Sequence, residues 1–370
     1  MKSNQRPHAV CIPLPAQGHI KPMLQLSKLL HSRGFYITFV HTQFNYDKLF
    51  KSTNNNIPSS IENFQFETVS DGLPRNNPRG ILELPDLVHS MPVHCLNSFR
   101  ELIKKLNCSP DLPPVSCIVS DGVMSFTLKV AQEFNIPEIL FFTVSACGML
   151  GYLQFEELIQ KGYFPMKDES YLSNGYLDTM IDWTPSMGTI RLRDLPTFIR
   201  TTNGDDLMFN YNLESVNNAL KTGNLILNTF DDLEQEVLNI LKTKFQNIYT
   251  IGPLSLLCQQ NCEAKLESLE SSLWKEDEKC LEWLDGKEPK SVLYVNYGSL
   301  VIMSPKQLSE FAWGLANSKC TFLWVIRPNL VDKGNEVISR DFLDEIKERG
   351  LILDWCPQEK VLGHSAVGGF

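Results

Sequence analysis

No run of about 18 consecutive apolar residues occurs in the 370-residue chain, so no membrane-spanning helix is expected. Glycine and proline, 21 each, are too few for a collagen-like or low-complexity protein. Basic residues are outnumbered, 34 Lys+Arg against 43 Asp+Glu for a net charge of −9, which argues against a nucleic-acid partner. Ten cysteines are present but no C-x-x-C pair. Cys258 and Cys262 lie closest, and no second pair or histidine follows at zinc spacing. Reduced thiols are the expected state. The apolar stretch Ala9 to Leu14 is too short for a signal-peptide core and is broken by Pro13, which favours a buried strand and a cytoplasmic chain. Three catalytic or cofactor signatures are also missing: G-x-G-x-x-G after the first strand, G-x-x-x-x-G-K-[ST], and G-x-S-x-G. Their absence disfavours a standard nicotinamide oxidoreductase, a P-loop protein and an ordinary α/β-hydrolase.

What is present is an ordinary globular composition, 43% hydrophobic and 21% charged. The length predicts about two domains, each able to build a core without disulfide or metal staples. The first 250 residues or so alternate short apolar runs with helical patterns. HAVCIPLP, YITFVHT, FQFETV, SCIVSD, EILFF and NLILNT read as strands. Helical periodicity covers 20–33, 86–106, 126–134 and 231–245. Buried strands alternating with helices predict a parallel α/β sheet covered on both faces. Gly252-Pro253 opens a polar, acidic stretch that reads as a linker. The alternation restarts with SVLYVNYGS, then a helix at 305–318 with Ser304 as N-cap and Pro305 in its first turn, then CTFLWVI, GLILDW and AVGGF. The expected division is 1–251, a linker at 252–280, and a second, incomplete parallel domain at 281–370. An exposed sheet edge is expected near Phe370.

Ligands of open parallel sheets bind beyond the carboxyl ends of the strands. His19 follows the first strand in PAQGHI, where Gly18 would let the backbone turn before a helix beginning near Ile20. A helix N-terminus disfavours imidazolium and would suit a neutral base. Asp121 ends SCIVSD before Gly122. Were the first and fourth strands neighbours, Asp121 could fix the His19 tautomer. A lone loop histidine is more often a surface or capping residue, and an Asp-Gly is as often a turn. Gly298-Ser299, after YVNY, forms a small loop suited to phosphate. Trp355, at a strand end before Cys356-Pro357-Gln358, could stack on a base or simply fill a core.

Taken together, PAQGHIKPMLQLSKLL, SDGVMSF, VLYVNYGS and WCPQEKVLGHSAVGGF resemble, in order, motifs of the plant UDP-dependent glycosyltransferases of glycosyltransferase family 1. YLSNGYLDTMIDWTPSMGTIRLRDLP and LMFNYN are similar to its family-85 branch, which acts on iridoid, cyanohydrin and diterpenoid aglycones. The resemblance implies a GT-B-like fold of two Rossmann-like domains facing across a cleft. It implies transfer of glucose from UDP-glucose, as co-substrate, to a hydroxyl of a small hydrophobic acceptor with inversion, without a metal or other cofactor. His19 would be the base and Asp121 its charge partner. Thr143 would approach the glucose, Ser299 the diphosphate, and Trp355, Cys356 and Gln358 the uracil or ribose. The acceptor pocket would draw on Gly18, Met91, Met149 and the segment around Trp183 to Phe198. A monomer is expected. The family pattern runs on past Gly369-Phe370 with further donor-binding residues, for which His364 is no substitute. A truncated product that binds only an aglycone is therefore the competing expectation.

Overall fold

The structure is a computed structural model that describes residues 6–51, 61–72, 84–184, 186, 190–266, 269, 271–328, 330–331 and 338–370. The chain divides into two compact units, Met1–Ser271 and Ser272–Phe370.

The first unit opens with β1 (His8–Ile12), α1 (Gln17–Ser32), β2 (Tyr36–Thr42), the short α2 (Gln43–Tyr46) and β3 (Phe64–Val69). It continues through α3 (Leu84–Cys108), β4 (Val115–Asp121), α4 (Thr127–Glu133), β5 (Glu138–Phe142), α5 (Ala146–Tyr152) and α6 (Phe155–Gln160). A two-stranded antiparallel ribbon, β6 (Met180–Ile181) with β7 (Ile190–Arg191), precedes α7 (Leu207–Thr222), β8 (Asn224–Leu227), α8 (Asp231–Leu241), β9 (Asn247–Thr250) and α9 (Leu254–Asn261). Seven strands form one parallel sheet in the order β3-β2-β1-β4-β5-β8-β9. All five residues of β1 are buried. A central parallel strand covered on both faces needs a continuous buried run rather than alternation, here apolar from Ala9 to Ile12, with the His8 ring bonded to the Pro113 carbonyl and Thr38 Oγ1. Against the β1–β4 half, Val88, Met91, Cys95, Phe99 and Ile103 of α3 and Val130 and Ala131 of α4 complete one core. Leu140, Met149, Leu150, Leu225, Leu227, Leu238 and Leu241 build another around β5 and β8. The order reverses between β1 and β4, so the loops following these two strands splay apart and leave a crevice at the sheet's carboxyl edge.

Residues 252–280, which read as a linker in the sequence, carry α9, and α9 packs on α1. Three bonds join α1 and this segment: Gln17 Nε2 donates to the Ser271 carbonyl at 3.1 Å, Lys28 Nζ to the Leu269 carbonyl at 3.1 Å, and, in the other direction, Cys258 Sγ to the Gln25 carbonyl at 3.2 Å. The compact unit extends to Ser271 for this reason. Polarity signals an exposed segment, but an exposed segment can still cross a helix through its backbone carbonyls.

The second unit contains α10 (Lys279–Asp285), β10 (Val292–Asn296), α11 (Pro305–Ser318), β11 (Thr321–Val325), α12 (Arg340–Ile346), β12 (Gly350–Leu353), α13 (Gln358–Leu362) and β13 (Val367–Gly369). Its parallel sheet has the order β12-β11-β10-β13. Alternate residues of β11 feed opposite cores: Phe322 and Trp324 join Leu308, Leu315 and Phe342, while Leu323 and Val325 join Cys280, Tyr294 and Trp355. This is the period of two that puts successive side chains on opposite faces. α11 carries the expected Ser304 cap. Gln307 N donates to Ser304 Oγ at 3.2 Å, and Ser304 N donates to Gln307 Oε1 at 2.9 Å. Such a reciprocal capping box satisfies two donors that the helix leaves open. Val367–Gly369 is an edge strand, with Phe370 73% exposed beyond it. No helix among the described residues is long and apolar enough to cross a membrane.

Candidate active site

The topology brings together two residues 102 positions apart. β1 and β4 pair in register from Ala9 opposite Cys117 to Ile12 opposite Ser120. Asp121, the last residue of β4, therefore faces the start of α1, and its Oδ2 lies 2.7 Å from His19 Nδ1. The carboxylate is 1% exposed and the imidazole 24%. Two backbone N–H groups hold the carboxylate: Leu14 N donates to Oδ2 at 3.2 Å and Val123 N to Oδ1 at 3.2 Å. The first comes from the turn after β1 and the second from the turn after β4, so both sides of the crevice aim one side chain. Gly122 makes the turn possible, since a Cβ there would sit 2.1 Å from the Phe142 ring.

A proton on Nδ1 is donated to Asp121, which leaves Nε2 as the basic nitrogen. Burial disfavours the imidazolium. The charge of Asp121 and its hydrogen bond outweigh that penalty and hold the His19 pKa above the usual histidine value. The helix N-terminus, expected from the sequence to favour the neutral ring, does not decide the balance. A carboxylate in direct contact is stronger than the partial charge of a helix end. Thr143 Oγ1, in the loop between β5 and α5, lies 3.3 Å from the same Nδ1. β5 is the strand next to β4, so three consecutive strands of the sheet deliver the three groups.

Gly18 is used differently from the sequence expectation. α1 begins at Gln17, so Gly18 lies inside the first helical turn and its backbone needs no glycine-specific angle. A Cβ at Gly18 would meet nothing within 4 Å, so the residue leaves open space beside His19. Met91 and Met149 are 1% and 0% exposed and pack within the two cores. Trp183 stacks on Tyr163, with ring centroids 5.5 Å apart and planes 14° apart, and the Lys161 ammonium lies 5.0 Å from the Trp183 ring. In the segment around Trp183 to Phe198, residues 185 and 187–189 lie outside those described. A cavity of about 430 Å³ between α4 and α7, edged by Ser125, Lys129, Gln132, Asn210, Glu214 and Lys221, includes neither His19 nor Asp121.

In the second unit the residues singled out by the sequence follow two different strands. Ser299 is half-buried in the turn after β10, six positions before α11 begins, so it does not sit on that helix's N-terminus. Arg327, 2% exposed and just past the end of β11, holds this turn: its Nε donates to the Gly298 carbonyl at 3.2 Å and its Nη2 to the Val301 carbonyl. Burial lowers the Arg327 pKa. Trp355 is 7% exposed after β12 and stacks on Trp274 at 4.7 Å and 28°. Its carbonyl accepts from Asp277 N at 3.0 Å. Cys356 Sγ lies 3.5 Å from the Tyr294 hydroxyl, to which Asn296 Nδ2 donates at 2.7 Å. Gln358 is half-buried as the first residue of α13. His364 bonds Asp285 at 3.2 Å and accepts from Ala366 N at 3.2 Å, a local structural role.

Arg327 and Trp274 escape a reading of the sequence. An arginine directly after an apolar strand, in LWVIRP, is a weak signal for the first. Nothing local marks Trp274 as the neighbour of a residue 81 positions away.

The family model described as "Glycosyltransferase, N-terminal domain" matches residues 8–156, and that described as "UDP-glucoronosyl and UDP-glucosyl transferase" matches 227–370. The 7-deoxyloganetin glucosyltransferase of Gardenia jasminoides is 54% identical over 368 residues, 99% of this chain and 76% of its own length. The (R)-mandelonitrile beta-glucosyltransferase of Prunus dulcis is 52% identical over 370 residues, 100% of this chain and 77% of its own. Among solved structures, a UDP-glucose: anthocyanidin 3-O-glucosyltransferase in complex with UDP superposes with a TM-score of 0.75 at 26% identity, covering 100% of this chain and 76% of that one. Phytolacca americana UGT2, complexed with UDP-2fluoro-glucose and pterostilbene, gives 0.76 at 26%, covering 99% and 75%. A chain that shares more than half its residues with such relatives across nearly its whole length, and their GT-B architecture of parallel α/β units, belongs to the UDP-dependent glycosyltransferase family of plants.

Proposed function

We propose that this protein transfers glucose from UDP-glucose to a hydroxyl of a small hydrophobic plant metabolite of the terpenoid, iridoid or cyanohydrin kind, with inversion at the anomeric carbon. The observation that carries the reading is the 2.7 Å contact between His19 Nδ1 and the buried Asp121 carboxylate. An alcohol is a poor nucleophile near neutral pH, and a positioned base that takes its proton during attack accelerates the step by about 10²–10⁴-fold. His19 Nε2 takes the hydroxyl proton as the acceptor oxygen bonds to the anomeric carbon. The bond from that carbon to the UDP oxygen breaks, and UDP leaves with the electron pair. Asp121 stabilises the imidazolium that forms, and solvent later receives its proton.

Thr143 is assigned to the sugar side of His19 and Ser299 to the diphosphate. Trp355, Cys356 and Gln358 are assigned to the uracil and ribose, with Trp355 backed by Trp274. The open space beside Gly18 is assigned to the acceptor, and Met91, Met149 and Trp183 are proposed as further pocket residues, the two methionines being buried in the cores here. The diphosphate needs no metal if N–H and side-chain donors hold it. A cytoplasmic setting is proposed with it, in keeping with cysteines that show no C-x-x-C spacing.

The test is glucosylation of an aglycone panel by the full chain with UDP-glucose, followed by chromatography of the products. A β-glucoside is expected, and His19→Ala is expected to lower its formation at least 10²-fold. Full turnover by His19→Ala would overturn the base assignment, and absence of any glucoside with the unmodified chain would overturn the activity.

A further inference from the structure

Glu234 lies in α8, 215 positions beyond His19, yet its carboxylate grips the start of α5, directly after the loop that carries Thr143. Its Oε2 accepts from Ala146 N at 2.8 Å and its Oε1 from Cys147 N at 2.8 Å. Thr229 Oγ1 donates to the same Oε2 at 2.5 Å. Ser145 Oγ adds a cap on Gly148 N at 3.1 Å. All of the open donors at the start of α5 named here are thus taken within the protein. Glu234 itself is 9% exposed. The backbone of α8 breaks at this residue, with φ −134° and ψ 29° inside an otherwise helical segment. The break therefore coincides with the residue whose side chain leaves α8 to bond the start of α5. Departure from helical angles at a buried residue costs free energy and persists only when surrounding contacts over-determine it.

The consequence reaches the candidate base. Two amides held by one carboxylate fix the position and rotation of the first turn of α5, and Thr143 lies three residues before Ala146 in the short loop that leads into it. Its hydroxyl sits 3.3 Å from His19 Nδ1, beside the bond to Asp121. Placing groups around a reacting centre is worth large factors in rate, and a misplacement of about 1 Å can cost as much as 10²-fold. We propose that Glu234 is a positioning residue for transfer: it anchors the start of α5, and with it the loop before it, so that Thr143 is presented at His19 and at the sugar. Thr229 orients the Glu234 carboxylate for that task. This rests on the glucosyltransferase reading above.

The experiment uses the full chain carrying Glu234→Gln, Thr143→Val, both together, and Thr229→Val, with two readouts. The first is the pH titration of the His19 imidazole followed by NMR, which needs no turnover. The second is the steady-state kinetics of glucosyl transfer. Glu234→Gln is expected to move the His19 titration midpoint and to lower kcat about tenfold, with KM for UDP-glucose within about twofold. Added to Thr143→Val, it is expected to lower kcat by less than about twofold more, because the group it positions is already gone. Thr229→Val should shift both readouts in the same direction by less, and carries the test if Glu234→Gln does not fold. An unchanged His19 titration, or a full independent loss of kcat on top of Thr143→Val, would overturn the proposal. If the unmodified chain transfers no glucose, the functional reading fails by itself, and the imidazole titration still decides whether Glu234 acts on the His19 environment.

Discussion

Single side chains carry the strongest statements about pH. With its pKa above the usual histidine value, His19 is protonated over a wider range than a free histidine. A base must be neutral to work, so kcat/KM for glucosyl transfer is expected to fall as pH drops through that raised value. Asp121→Asn removes the charge that raises it and leaves the burial that lowers it. The acid limb is therefore expected to move to lower pH while the plateau drops about 10²-fold or more, read from a pH–rate profile. Histidine 41 behaves in the opposite way. His41, 2% exposed among Phe39, Phe50 and Phe66, makes no hydrogen bond from either ring nitrogen among the described residues, and burial takes its pKa down to about 3. The unfolded chain takes a proton below the ordinary value of 6.5, whereas the folded chain holds out to about 3. Stability is then lost as pH falls across that window. Between pH 7 and 4.5 the His41 contribution amounts to about 2–3 kcal/mol. Urea unfolding at the two pH values is expected to show that His41→Leu loses less stability on acidification than the unmodified chain, by about that amount.

Elements show how much was legible before the fold was known. The strands at 8–12, 36–42, 64–69, 115–121 and 138–142 coincide with apolar or β-branched runs, and the cap at Ser304 is written in its own residues. These depend on side chains a few positions apart, which is the information a sequence carries most directly. The start of α1 was less legible. Ala16 supplies no side-chain cap, so nothing local announces that the helix begins at Gln17 and takes in Gly18. The β4–α4 corner is another local feature with a distant cause. Gly122 N donates to the Phe141 carbonyl at 2.9 Å, and the Phe142 ring fills the space that a Cβ would need. Gly122→Ala forces that buried ring, 3% exposed, to move. Overpacking of this kind costs about 1–3 kcal/mol, expected as a lower midpoint in thermal unfolding, with transfer reduced because Asp121 sits on the same corner.

At the scale of the whole molecule, the two units have separate sheets and separate cores. Tryptophan is unevenly divided between them. Trp183 belongs to the first unit, and Trp274, Trp283, Trp313, Trp324 and Trp355 belong to the second. Tryptophan fluorescence therefore reports mainly the four-stranded unit, and far-UV circular dichroism is weighted toward the larger one. The two thermal transitions are expected not to coincide, since units with their own cores depart from a single two-state transition. Superimposable curves would show that the chain unfolds as one cooperative body. The division itself was only partly legible. The polar stretch from Gly252 reads as a linker, but Gln17, Lys28 and Gln25 tie it to α1 through backbone carbonyls and a thiol, contacts that leave no hydrophobic pattern.

The sequence by itself determined where most strands lie, the helix that Ser304 caps, the absence of a long apolar run, and the residues lying at strand ends. It also determined the family, because four motifs in order are far more specific than any one of them. Tertiary structure alone decided which strand ends meet. The β1–β4 adjacency sets His19 against Asp121. The β5 neighbour adds Thr143, and Glu234, at a break in α8, bonds the start of α5 beside it. The physical reason is range. Periodicity and capping are settled by neighbours within one or two turns, whereas strand order is settled by how crossover helices pack, and a hydrogen bond spanning about 100 residues leaves no local trace in either partner.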